Sequence, residues 1–304
     1  MSNPDRAMVE AMVNLATNGA LDRSDQRGKR ARELRQWGLH PHHAEPGSSL
    51  AADDAAFEAA YPLALSGGVG VTEESLFPMM SASENLNAVG LLIEHRGDGG
   101  DVNAMPVMQL CRSAMESSAR TIWILGHPDR ETRRDRALVV LVEQLEQQKR
   151  FLRISEDNAA NAPAALPPDV VAMNQAHQQK QAALVQDLRD SYTISKPESF
   201  SKTIALAAEW VDAHLPAHDT GELAANGLEG GAKASYSWGS SFVHGYKWAV
   251  DYFPGVKLFG MIADSLAAAV FMTECAVALY EASCRGPAGQ NNEHSYVPER
   301  FRWK

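Results

Sequence analysis

The chain is poor in cysteine. Cys111, Cys275 and Cys284 are the only three in 304 residues, too few and too scattered for a disulfide framework or a zinc cage. Cys111 and Cys275 lie in apolar helical runs and read as core residues. Positive charge is also short. Lys and Arg number 28 against 38 Asp and Glu, for a net charge of −10 and a pI near 5.5. That balance argues against a general nucleic-acid coat. A local basic stretch remains in Arg23, Arg27, Lys29, Arg30, Arg32 and Arg35, read as an exposed basic helix.

Long uninterrupted apolar runs are missing too. The nearest is Leu258 to Leu279, but Asp264 and Glu274 leave only residues 265–273 between them uncharged. A bilayer span needs about 20 apolar residues, so the segment reads as a buried core helix and no membrane partner is expected. The first residues, Met1 to Arg6, carry no apolar stretch of the signal-peptide kind, and the expected location is cytoplasmic. Strand-like alternation is absent. The glycine-bearing stretch Ser66 to Gly70 has neither the lysine nor the flanking strand of a P-loop.

Helical periodicity fills most of the chain, so the fold class expected is all-α, a multi-helix bundle of roughly eight to ten helices. Helices are expected over 4–19, 24–37, 51–60, 73–95, 102–125, 129–156, 169–190, 200–214, 233–252 and 256–283. Gly126-His127-Pro128 is a strong stop, and Asn158 to Pro168 reads as a linker. Residues 1–60 are taken as an N-terminal helical appendage and 61–285 as the bundle core. Residues 286–304 are a polar tail in which Tyr296, Phe301 and Trp303 are available to dock. Helix 256–283, apolar nearly all round, is placed at the centre beside the helices carrying Arg112 and His244.

Two segments carry chemistry-shaped signals. Arg112, Glu116 and Arg120 recur every four residues and share an arc of roughly 140° with Gln109, Ser113 and Ser117. Met105 precedes this arc and Trp123 and Ile124 follow it, so it is charged in the middle and apolar at both ends. Three readings fit: a solvent face, a structural ion-pair network, or a polar pocket in which Glu116 reaches both arginines. The second segment holds Ser240, Ser241, His244 and Gly245. His244 beside small hydroxyls suits a general base, an anchor, or a satisfied core histidine. A serine-hydrolase arrangement fits poorly, because serine and histidine share one helix with no nucleophile elbow and Asp251 lies about 10 Å further along it. His40, His42, His43 and Glu45, and separately His214, His218 and Asp219, match no zinc signature, so neither metal nor cofactor is expected.

The Arg112-to-Glu116 helix followed by Ser241-x-x-His244-Gly245 resembles a pattern in uncharacterised all-helical bacterial proteins that are loosely similar to the HEPN superfamily. That superfamily includes ribonucleases of toxin–antitoxin and phage-defence systems, in which a helix-borne Arg and His meet across a homodimer to cleave RNA. Arg35 to His40 and Arg120 to His127 fit its Arg-x(4–6)-His spacing. The resemblance implies a protein of defence or stress response that binds or cleaves RNA or nucleotides. His244 would be base or anchor, Arg112 and Arg120 would hold a phosphate-like anion, and Glu116 would orient them. Ser240 and Ser241 would line the site. The alternative is a non-enzymatic protein-interaction or regulatory module whose polar cluster is structural. A symmetric homodimer is the generic expectation.

Overall fold

A computed structural model describes residues 3–64, 70–96, 103–160, 167–214, 225–252 and 255–286. The expected tail beyond Gly286, most of the linker after Ala160, and His218 with Asp219 lie outside these residues. All regular structure among the described residues is helical, and the all-α multi-helix bundle expected from the periodicity is what the chain forms.

The helices are α1 (Asn3–Leu39), α2 (Ser49–Ala60), α3 (Val71–Glu94), α4 (Ala104–Leu125), α5 (Arg130–Ala160), α6 (Pro168–Ser191), α7 (Phe200–Ala213), α8 (Glu229–Val243), the single turn α9 (Trp248–Tyr252), and α10 (Val256–Cys284). Their ends follow local chemistry. Ser48 caps α2 by accepting from the Ala51 amide at 3.1 Å, satisfying one of the orphan donors of the first turn. Ser199 does the same for α7 through the Lys202 amide.

Four helices close into a ring: α1 packs on α3, α3 on α4, α4 on α10, and α10 back on α1. The core between them holds Leu34, Trp37, Met79, Leu86, Met108, Met115, Ile122, Leu266, Met272 and Tyr280, all fully or almost fully buried. α8 lies against both α4 and α10, α7 covers α4 and α8, and α5 with α6 forms an antiparallel pair alongside. The two helices expected beside the central apolar helix, α4 and α8, do pack on it, and α1, which was not expected there, packs on it as well.

The two N-terminal helices expected over 4–19 and 24–37 are one continuous helix. Only Gly19 interrupts the sequence between them, and a single helical glycine costs about 1 kcal/mol. Against that, Ala20, Ser24, Ala31, Leu34 and Trp37 form one buried stripe along α1. Residues 1–60, read from the sequence as an appendage, thus supply a wall of the core. The close packing of α1 on α3 depends on Gly90, where an added Cβ would lie 2.4 Å from the Arg32 side chain and 2.7 Å from the Gly28 carbonyl oxygen.

α1 and α10 run parallel, because Arg23 meets Asp264 at 2.8 Å, Arg30 meets Glu274 at 3.0 Å through Nε, and Trp37 meets Glu281 at 2.6 Å. Arg32 pairs with Glu94 of α3. Three of the six cations expected on an exposed basic helix around residues 23–35 are therefore paired across helix seams, while Lys29 and Arg35 are exposed. The carboxylates that kept α10 from reading as a membrane span are the partners of these arginines. By length and composition α10 could cross a bilayer, but 83% of its most apolar stretch is buried against the other helices.

Candidate functional site

The charged stripe on α4 divides between two neighbours. Arg112 Nε donates to Glu116 Oε1 at 2.8 Å, one helical turn on. Its guanidinium lies 5.0 Å from the centre of the Tyr236 ring on α8, where a cation meets the negative face of the aromatic system. Both side chains are about one-fifth exposed, 17% and 19%. Arg120 does not share Glu116. It donates to Glu143 of α5 at 2.9 Å and covers the Phe200 ring at 5.3 Å. Each arginine thus has its own carboxylate and its own ring. The stripe is neither fully wet nor a single cluster.

Beside Arg120 lies Glu74, almost fully buried and accepting from the Gln144 side-chain amide. Burial pushes its carboxyl up to about 7; nearby Arg120 opposes that rise, Glu73 adds to it, and the Gln144 bond opposes it. The Cys111 thiol on the same helix is pushed up to about 12 by burial, which removes it as a nucleophile at neutral pH.

α8 crosses α4 at Gly239. A Cβ there would sit 2.8 Å from Arg112 Cβ and 3.1 Å from the Met108 carbonyl oxygen. Further along α8, the Phe242 carbonyl accepts from Gln109 Nε2 at 3.2 Å. Since Tyr236 sits at Arg112 and Phe242 at Gln109, the helices are antiparallel. Ser241 and Arg112 are therefore brought to one helix crossing, as the sequence pairing suggested.

The helix expected over 233–252 is broken. α8 stops at Val243, His244 is its C-cap, and Gly245 adopts φ +67°. The Tyr246 amide returns to the Ser241 carbonyl at 2.9 Å and the Gly245 amide to Phe242 at 3.2 Å. This is a Schellman ending, which needs a left-handed residue just past the cap. The Ser-x-x-His-Gly segment is, in its glycine, a helix stop. His244 is exposed, with its ring centre 5.6 Å from that of Tyr246. It lies beyond Phe242, whereas Glu116 lies seven residues from Gln109 in the other direction, about 10 Å along the axis at 1.5 Å per residue. His244 thus joins neither Glu116 nor Arg120 within one chain.

Ser240 and Ser241 line an open groove of about 360 Å³ with Ser201, Ser237, Tyr236 and Lys233. The hydroxyl of Ser241 donates to the Ser237 carbonyl of its own helix at 3.1 Å, and Lys233 pairs with Glu229. The groove offers hydroxyls and an aromatic edge for binding. It has no serine aligned with a base. Among the described residues no three His, Cys, Asp or Glu side chains are grouped to hold a metal ion.

Two buried charged clusters carry no motif in the sequence. Asp53 is grasped by Arg133 through two contacts of 2.7 Å and by Arg130 at 2.9 Å, while Arg133 also donates to the carbonyls of His127 and Pro128. Glu281 accepts from Trp37 and contacts His42 Nδ1, and Tyr280 donates to the His42 carbonyl at 3.1 Å. The available signal was the presence of Asp53 and Glu281 on otherwise apolar helix faces, where a carboxylate needs partners.

No known family, curated protein or solved structure matches this chain.

Proposed function

We propose that the chain is a non-enzymatic helical interaction protein that acts as a symmetric homodimer in the cytoplasm, with Arg112, Glu116 and Arg120 serving its structure. The observation that carries this reading is an apolar stripe on α1 that no described residue covers. Met8, Val9, Met12, Val13 and Leu15 keep the spacing of a core-facing helix, yet Met12 is 63% and Leu15 75% exposed. Leu15 stands eight residues before Arg23, as Val256 stands eight before Asp264, so the stripe ends level with the start of α10 and the rest of it projects past that end. The turn feeding α10 carries exposed Val243, Tyr246, Trp248 and Tyr252.

These nine side chains leave on the order of 1,000 Å² uncovered, taking 150–250 Å² for a whole aromatic side chain. A standard interface buries about 800 Å² per partner. A second copy supplies the same surface, which is what a two-fold contact requires. Sedimentation of the full chain tests this. Wild type is expected to be dimeric at micromolar concentration, and Met12→Lys with Leu15→Glu monomeric with an unchanged far-UV spectrum. A monomeric wild type at about 100 μM, well above the micromolar weak end for standard-sized interfaces, overturns the reading, and uptake by lipid vesicles instead would reassign the stripe.

The HEPN-like reading, in which RNA or nucleotides are bound or cleaved, is favoured by one observation. His244 is exposed on the same turn as Val243, Tyr246 and Trp248, so association there would carry two imidazoles to one interface. RNA cleavage by wild type that is lost in His244→Ala, with the fold and dimer intact, would establish that reading in place of the non-enzymatic one.

A further inference from the structure

Five arginines at the seams of this bundle engage carboxylates: Arg23 with Asp264, Arg30 with Glu274, Arg96 with Asp25, Arg120 with Glu143, and Arg133 with Asp53. The pair of α5 and α6 breaks the pattern. Lys149, Arg150 and Arg153 fall with Glu146 within an arc of about 100° on α5. The carboxylate of that arc is already taken, because Arg189 from α6 donates to Glu146 at 2.6 and 3.0 Å. The three remaining cations have no ion-pair or hydrogen-bond partner among the described residues. Lys149 and Arg153 are i,i+4 neighbours of like charge, an arrangement that costs a helix a few tenths of a kcal/mol.

The three cations line one depression of about 360 Å³ with the side-chain amides of Gln178 and Gln179 on α6. That volume falls within the range of small-molecule sites. Arg150 also borders the adjoining depression of about 230 Å³, beside Arg189 and Ser195.

We propose that the α5–α6 groove binds a compact polyphosphate ligand, of the nucleoside di- or triphosphate or inorganic polyphosphate kind. Lys149, Arg150 and Arg153 contact the phosphates, and Gln178 and Gln179 hydrogen-bond to their oxygens or to the group they carry. Arginine and lysine together suit this chemistry, one through a planar fork and the other through a mobile point charge. The net charge of −10 selects a compact anion over an extended one. A nucleic-acid strand leaving a three-cation groove would run onto an acidic surface, which repels it. The inference is independent of self-association through α1.

Titration calorimetry with the full chain at low salt tests it, using tripolyphosphate, ATP, AMP and a 12-nucleotide oligouridylate as probes. Tripolyphosphate and ATP are expected to bind at least tenfold tighter than AMP, weakening as salt rises. The triple variant Lys149→Ala, Arg150→Ala, Arg153→Ala should lose at least tenfold with an unchanged melting curve, since all three side chains are exposed. A control, Lys29→Ala with Arg35→Ala, removes exposed charge from α1 and should bind as wild type does. Absence of binding by 1 mM polyphosphate, on the order of the weakest affinity such contacts give, overturns the proposal. So does an equal loss in the control, or a preference for the oligouridylate over tripolyphosphate.

Discussion

The Trp37 indole nitrogen donates to a Glu281 carboxylate oxygen at 2.6 Å, across 244 positions of sequence and with both residues buried. The same carboxylate contacts His42, so one acidic group on α10 fastens both the end of α1 and the loop that follows it. Trp37→Phe keeps an aromatic ring edge-on to Tyr280, now 6.0 Å between centres, but removes the donor. A buried acceptor deprived of a partner costs about 1–3 kcal/mol. The midpoint of urea unfolding should fall accordingly with an unchanged slope. A variant as stable as wild type would mean that the bond contributes nothing.

Glu74 predicts a pH dependence. In the folded chain its carboxyl holds the proton up to about pH 7, against an ordinary 4.5, because burial disfavours the charge. A folded-state value raised above the unfolded one gives a contribution that is complete below about pH 4.5 and lost as pH rises to about 7. Glu74→Gln retains an oxygen to accept from Gln144 and cannot ionise. It should raise stability at pH 8 by up to about 3 kcal/mol, at 1.36 kcal/mol per pH unit, and leave stability at pH 4.5 unchanged. Equal effects of the substitution at both pH values would contradict this account.

Gly239 is a contact rather than a loose point. Alanine normally improves a helix interior by about 1 kcal/mol over glycine, but here its Cβ would press on Arg112 Cβ and the Met108 carbonyl. Neither neighbour is a flexible side-chain end, so overpacking at about 1–3 kcal/mol should win. Gly239→Ala is expected to lower the melting temperature, whereas Gly230→Ala, with open space around it, should raise it slightly or leave it unchanged.

Much of the helix order was legible, because a 3.6-residue period and explicit stops such as Gly126-His127-Pro128 are local signals. α4 and α10 end within two residues of where those signals place them. The Arg112–Glu116 pair was legible for the same reason, since i,i+4 neighbours meet on any helix. The break in α8 was harder. Gly245 marks a stop only when it takes a left-handed conformation, and apolar Trp248 and Ala249 beyond it imitate continued helix.

The class of fold, the run of helices and the core placement of α10, with carboxylates at 264 and 274, follow from local pattern alone. They do so because helix periodicity, capping and the cost of burying charge are written in neighbouring residues. Packing in three dimensions sets which carboxylate each arginine takes, turns Arg120 to Glu143 and away from Glu116, and leaves His244 exposed at a helix end. Those choices join residues far apart in the chain, and they are made by helix packing and by the close approaches that Gly90 and Gly239 permit.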